Sequence, residues 1–240
     1  MTSLTHAGRI AGALLLLVFA LGVLTFQFLQ SPVLSGIEHF EDVAASSTPL
    51  VASALTGIAS GSLSILVAVL LLPVFRRVNE WLAYAYMAFA VVNFVAIAID
   101  TVSVLSVLEA SRLSADGSVR PVSAAAGLVP LLYRQQWWTH HLYLLTSCLP
   151  VLALYVGLYV SRGVPRALSL FGVLATLLMA AGVAGAMMES RLNDMVFLPI
   201  ALVQVATPLW LIARGLSIAE SACVGDAFAA PASPPSPASP

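Results

Sequence analysis

The chain contains no lysine: all ten of its basic residues are arginine. That absence excludes chemistry needing a lysine Schiff base, retinal binding included, and it excludes a phosphate-cradling P-loop lysine. Charge of either sign is scarce. Charged residues make up 9% of the 240 positions, where soluble domains carry roughly a quarter. The net charge of −1 leaves no basic surface for nucleic acid, so no nucleic-acid partner is expected. Cysteine is limited to Cys148, in an apolar run, and Cys223, in a polar tail. Such positions are poorly placed to form a disulfide. No CxxC or Cys/His spacing points to structural zinc. No HExxH is present, and Gly57-Ile58-Ala59-Ser60-Gly61 does not place its serine as a nucleophile elbow requires. Neither a catalytic residue nor a metal or cofactor site is expected.

What the chain has in excess is apolar sequence. It is 60% hydrophobic with mean hydropathy +0.98. A soluble globule cannot be covered by so little polar surface, so the expected solvent is lipid. A spanning helix needs about 20 mostly apolar residues. Six stretches qualify: 10–29, 50–74, 81–105, 139–160, 167–188 and 195–213. They are too long and too uniformly apolar for barrel strands. The first is longer than a secretory leader's apolar core, and no small-residue cleavage site follows it. It reads as a retained helix. The segment 121–133, PVSAAAGLVPLLY, is too short to span and carries Pro130. It reads as an interfacial or re-entrant helix.

Arginine placement supports six crossings over seven. Arg9, Arg76, Arg77, Arg162, Arg166 and Arg214 fall on one side, and Arg112, Arg120, Arg134 and Arg191 on the other. Short basic loops, here RRVNE and SRGVPR, face the cytoplasm. The expected fold is all-α: a polytopic transmembrane bundle of six spanning helices, both termini cytoplasmic, in the inner membrane. Residues 1–216 form the membrane domain. Residues 217–240, rich in Pro, Ser and Ala, form a disordered cytoplasmic tail. Gly57 with Gly61, Gly8 with Gly12, and Ala181 with Gly185 are small-residue pairs suited to close helix packing within one chain. The spans show no internal repeat of the inverted-transporter kind.

Ionisable and amide side chains within spans are the functional candidates. Asp100 lies roughly 28 Å along its helix from Trp81 at 1.5 Å per residue, hence near the outer interface. Asn93 shares its face, two turns deeper. Gln204 sits mid-way along the sixth span. Gln27 and Glu189 lie near the outer ends of the first and fifth. The stretch RQQWWTHHLY places Trp137 and Trp138 in an aromatic belt, with Arg134 beside them and His140 and His141 about a turn further on. Adjacent histidines point about 100° apart, so they cannot flank one haem. His39, in an outer loop, is a poor second ligand. The candidate polar pocket therefore comprises Asp100, His140, His141, Glu189, Asn93 and Gln204. The competing reading makes these interfacial residues or interhelical hydrogen bonds.

The stretches YVSRGVPRALSLFGVLATLL and FLPIALVQVATPLWLIARG, together with HAGRIAGALLLL and LLPVFRRVNEWLA, resemble the domain-of-unknown-function 4386 family of bacterial membrane proteins. The matching residues are Ser161, Pro165, Arg166, Leu209, Trp210, Leu211, Ile212, Arg214 and Gly215. The resemblance covers roughly residues 6–216 and implies a multi-pass membrane protein with no established activity. One departure stands out: family members often carry a glutamate where this chain has Gln204, which removes a protonatable group there. Pro165 suits the first turn of the fifth helix. Arg162 and Arg166 suit anionic lipid heads, and Gly215 suits a C-terminal cap. The expected role is non-catalytic, whether structural, regulatory or lipid-associated, with membrane lipids as partners. The alternative is a small transporter or sensor with an outward-facing polar pocket. An enzyme acting on lipid has the least in its favour.

Overall fold

The computed structural model describes residues 2–34, 41–115, 122–188 and 194–216. Its helices are α1 (Thr2–Val23), a π-helical turn (Leu24–Gln30), α2 (Ser31–Leu34), α3 (Glu41–Ala45), α4 (Ser47–Arg76), α5 (Glu80–Ala115), α6 (Val122–Ser161), α7 (Arg166–Met187), a 3-10 turn (Asp194–Phe197) and α8 (Leu198–Arg214). Among the described residues there is no strand. Six helical stretches are long and apolar enough to cross a membrane: Thr5–Leu34, Ser47–Arg76, Glu80–Ala115, Pro130–Ser161, Arg166–Met187 and Met195–Arg214. The tail expected to be disordered lies outside the described residues.

The spans close into a ring. α4 packs on α5, α5 on α6, α6 on α7 and α7 on α8, while α1 sits between α8 and α4. The start of α1 lies against the end of α8, where a methyl on Gly215 would meet Thr5. This terminal end of the bundle holds both ends of the ring. The opposite end is called the far end below.

Close helix approach explains several glycines. A Cβ on Gly12 would come 2.8 Å from the Pro208 carbonyl oxygen and 2.9 Å from Leu211 Cβ. Gly8 abuts Leu216, so this spaced pair seals α1 against α8. Gly61 faces the Phe94 ring of α5, at 2.8 Å from a Cβ position. In lipid, packing of this kind replaces the hydrophobic effect as the cause of association. Gly12→Val is therefore expected to destabilise the bundle by about 1–2 kcal/mol. Unfolding of purified protein in a denaturing-detergent titration measures it, and an unchanged midpoint would show that the α1–α8 seam is looser than drawn.

One turn matches its sequence expectation and a second departs from it by one residue. Gly215 caps α8 with φ +73°, its N–H donating to the Leu211 carbonyl at 2.8 Å. Pro165 caps α7 from just outside it, accepting from the N–H groups of Leu168 and Ser169 at 2.9 and 3.1 Å. The helix itself begins at Arg166, one residue later than Pro165 would place it as a first-turn residue.

The segment 121–133 requires a correction. It is neither a separate interfacial helix nor a re-entrant one, because Val122–Ser161 is one helix of 40 residues. Pro130 does not stop it, a tolerance long membrane helices show when neighbours support the freed carbonyls. α5 is likewise longer than expected, at 36 residues or about 54 Å, against a hydrocarbon core of about 30 Å. Both helices are therefore longer than the hydrocarbon core is thick.

Those extensions build a second apolar core. The main core occupies the terminal half and joins all six spans through residues such as Ala11, Phe75, Tyr86, Tyr155, Ala175 and Leu211. The smaller one holds Leu34, Val43, Leu50, Val104, Val107 and Leu108 from α2, α3, α4 and α5. Between the two lies a polar layer.

Candidate functional site

The polar layer is formed where four segments meet: the π-helical turn, α4, α5 and α6. Asp100 and His140 are at its centre. Asp100 is 5% exposed and His140 7%. His140 Nδ1 lies 3.4 Å from Asp100 Oδ2. In the tautomer that carries its hydrogen on Nδ1, His140 donates to that carboxylate oxygen. The Thr139 hydroxyl lies 3.2 Å from Asp100 Oδ1 and 3.0 Å from the Gln136 carbonyl, so its one hydrogen is divided between them. Among the described residues the ion pairs give Asp100 no arginine. The other imidazole nitrogen, His140 Nε2, is buried and has no hydrogen-bond partner among the described residues.

Phe26 stacks on the His140 ring at 4.7 Å and 10°. Tyr143 approaches the same ring edge-on at 5.9 Å. Below them, Gln30 Nε2 donates to Ser53 Oγ at 3.3 Å, and Ser53 Oγ donates to the Leu50 carbonyl at 2.8 Å. Ser60 Oγ donates to the Val18 carbonyl at 3.2 Å. These side chains, with Thr25, Gly57, Ile97 and Thr101, surround a cavity of about 40 Å³. One buried water needs about 10–15 Å³ on that measure, so there is room for about three.

The site depends on the fold around it. The π-helical turn widens the first span and so brings Thr25, Phe26 and Gln30 to the cavity. Such turns cost hydrogen-bond geometry and occur disproportionately at functional sites. One turn further out on three helices stand Leu34, Leu50 and Val104, all in the far-end core. The cavity is thus roofed by apolar packing.

Of the six candidate residues, Asp100 and His140 come together. His141 turns away: its Nδ1 lies 2.8 Å from the Trp137 carbonyl, and its ring stacks on Trp137 at 3.9 Å. Arg134 covers Trp137 and Trp138 at 4.7 and 5.3 Å, completing a belt at this level. Asn93 is buried on α5 with its Oδ1 unpartnered, but it does not border the cavity. Gln204 is half-buried on α8 and is likewise not part of the lining. Glu189 and His39 lie outside the described residues. Among the described residues there is no group of three metal-ligating side chains.

Sequence reasoning missed Gln30, Ser53, Thr139 and Phe26. Gln27 was weighed instead of Gln30, yet Gln27 is exposed and Gln30 buried. The π turn changes which face points inward, and apolar periodicity carries no mark of it.

A ring of six apolar helices around a buried polar pair defines a multi-pass helical membrane protein. More particularly, the chain belongs to the DUF4386 family, a domain of unknown function whose family model matches residues 10–215. No curated protein and no solved structure matches it.

Proposed function

We propose that this protein binds a small polar solute in the Asp100–His140 cavity, in a non-catalytic role as a transporter or sensor. The buried Asp100–His140 pair carries the reading. Burying a carboxylate costs several kcal/mol unless it is well satisfied, and here its donors are one long imidazole contact and a divided hydroxyl. A purely structural bundle gains nothing from that arrangement, since apolar residues of equal volume pack at least as well. Binding explains it. Membrane lipids are the surrounding partners, and a nucleic-acid partner has no support.

The arginine distribution favours the bacterial inner membrane with both termini cytoplasmic. Arg76 and Arg214, each over an aromatic ring, mark the terminal end, as does Arg166 over Tyr159. A C-terminal alkaline-phosphatase fusion should be inactive in intact cells, and activity there would reverse the orientation.

The binding reading is tested by thermal unfolding of the full chain in lipid nanodiscs across a panel of small polar solutes. At least one should raise the melting temperature of wild type and His141→Ala but not of Asp100→Asn. His141→Ala should itself cost about 1 kcal/mol, the loss of one aromatic stack. A panel with no difference between wild type and Asp100→Asn would remove the proposal.

A further inference from the structure

Hydrogen-bond supply around the cavity is lopsided, and the imbalance specifies its occupant. Several donors on its wall are already in use. Ser53 and Ser60 spend their hydrogens on backbone carbonyls, and Gln30 spends one on Ser53. Thr56 donates to the Ala52 carbonyl at 2.9 Å, so in the 2.7 Å contact between hydroxyls Thr25 is the donor to Thr56. The acceptors are in surplus. Asp100 has two oxygens and only two weak donors. His140 Nε2 is buried and without a partner among the described residues, and it offers a lone pair in the tautomer that holds its hydrogen on Nδ1. Among the described residues no arginine pairs with Asp100, and a carboxylate in a low-dielectric layer is costly without a cation beside it.

From this we infer that the cavity is a site for a small monovalent cation bearing N–H donors: ammonium or a small primary amine. The inference rests on the solute-binding reading above and names its ligand class. The cation supplies the missing charge, and its N–H groups supply hydrogen bonds to Asp100 and His140 Nε2. A nitrogen acceptor suits an N–H donor better than a hard alkali ion, which prefers oxygen ligands. The cavity, with room for about three waters, admits ammonium or a small primary amine such as methylammonium.

The titratable groups bordering the cavity are Asp100 of α5 and His140 and Tyr143 of α6. The π-helical turn and α4 contribute none to that wall, and the His141 ring lies 6.0 Å from that of His140.

The test is thermal unfolding of the full chain in nanodiscs with chloride salts at equal ionic strength. Ammonium and methylammonium should raise the melting temperature by about 3–6 °C at a tenfold excess over Kd. Sodium, potassium and tetramethylammonium should not, the last having no N–H group. Asp100→Asn should abolish the shift. Gly57→Ala provides a second variant: its added methyl meets nothing closer than 3.8 Å, so the fold is kept while the cavity is partly filled. It should reduce the shift at least threefold. Equal shifts from sodium or tetramethylammonium, no shift in wild type, or a full shift in Asp100→Asn would each overturn the assignment. A neutral solute acting through Asp100 while ammonium does not would overturn it too, yet leave the solute-binding reading standing.

Discussion

His140→Ala is expected to destabilise the protein by about 3–5 kcal/mol, the largest effect of any single truncation in the polar layer. The change strands Asp100, which is 5% exposed, with only the divided Thr139 hydroxyl as donor. It also removes the ring on which Phe26 stacks. Most of the cost comes from the carboxylate left behind. The double variant Asp100→Ala/His140→Ala should therefore be more stable than His140→Ala alone, by at least 1 kcal/mol. Unfolding midpoints of wild type, both single variants and the double variant complete the cycle. Additive costs would mean that the two side chains are neighbours without being partners.

Gly172→Val ranks second, at about 3 kcal/mol or more. Its Cβ would be driven into the Tyr155 ring. Tyr155 is 2% exposed and sits in the main core, where it cannot swing aside. Overpacking in such a place forces off-rotamer side chains or backbone shifts, each costing 1–3 kcal/mol and sometimes more. A β-branched residue adds stiffness at χ1 in a helix. Gly157→Val should behave similarly, because its Cβ would meet the Phe75 ring at 2.6 Å. Tyr155→Ala placed together with Gly172→Val should recover part of the loss. Failure to recover any would locate the damage in the backbone and not in the ring contact.

The spans were legible in the sequence because lipid imposes a uniform demand: about 20 apolar residues per crossing, with charge kept to the ends. Their count and order hold. Their lengths were less legible. The 121–133 stretch is apolar for another reason too: its described residues continue α6 toward the far end, where Leu132 packs against the far-end core. Hydropathy has no way to separate apolar residues facing lipid from those facing a small protein core.

The site was half legible. Asp100 and His140 stand out by chemistry, since ionisable groups inside spans are rare. Their pairing depends on how α5 and α6 face each other, which no local pattern encodes. His141, chemically identical to His140, goes to Trp137 because one residue turns it by about 100°. Gln30 and Ser53 looked like ordinary polar residues near helix ends, and only the π-helical turn gives Gln30 its inward direction.

The most direct test of the central claim reads the two nitrogens of one ring. Nitrogen-15 spectra of histidine-labelled protein in nanodiscs, assigned through His140→Gln, should show His140 with Nδ1 protonated and Nε2 bare. Addition of a bound solute should shift the Nε2 resonance, and Asp100→Asn should abolish that shift. A protonated Nε2 with bare Nδ1, or an Nε2 resonance indifferent to every solute that stabilises the protein, would contradict it.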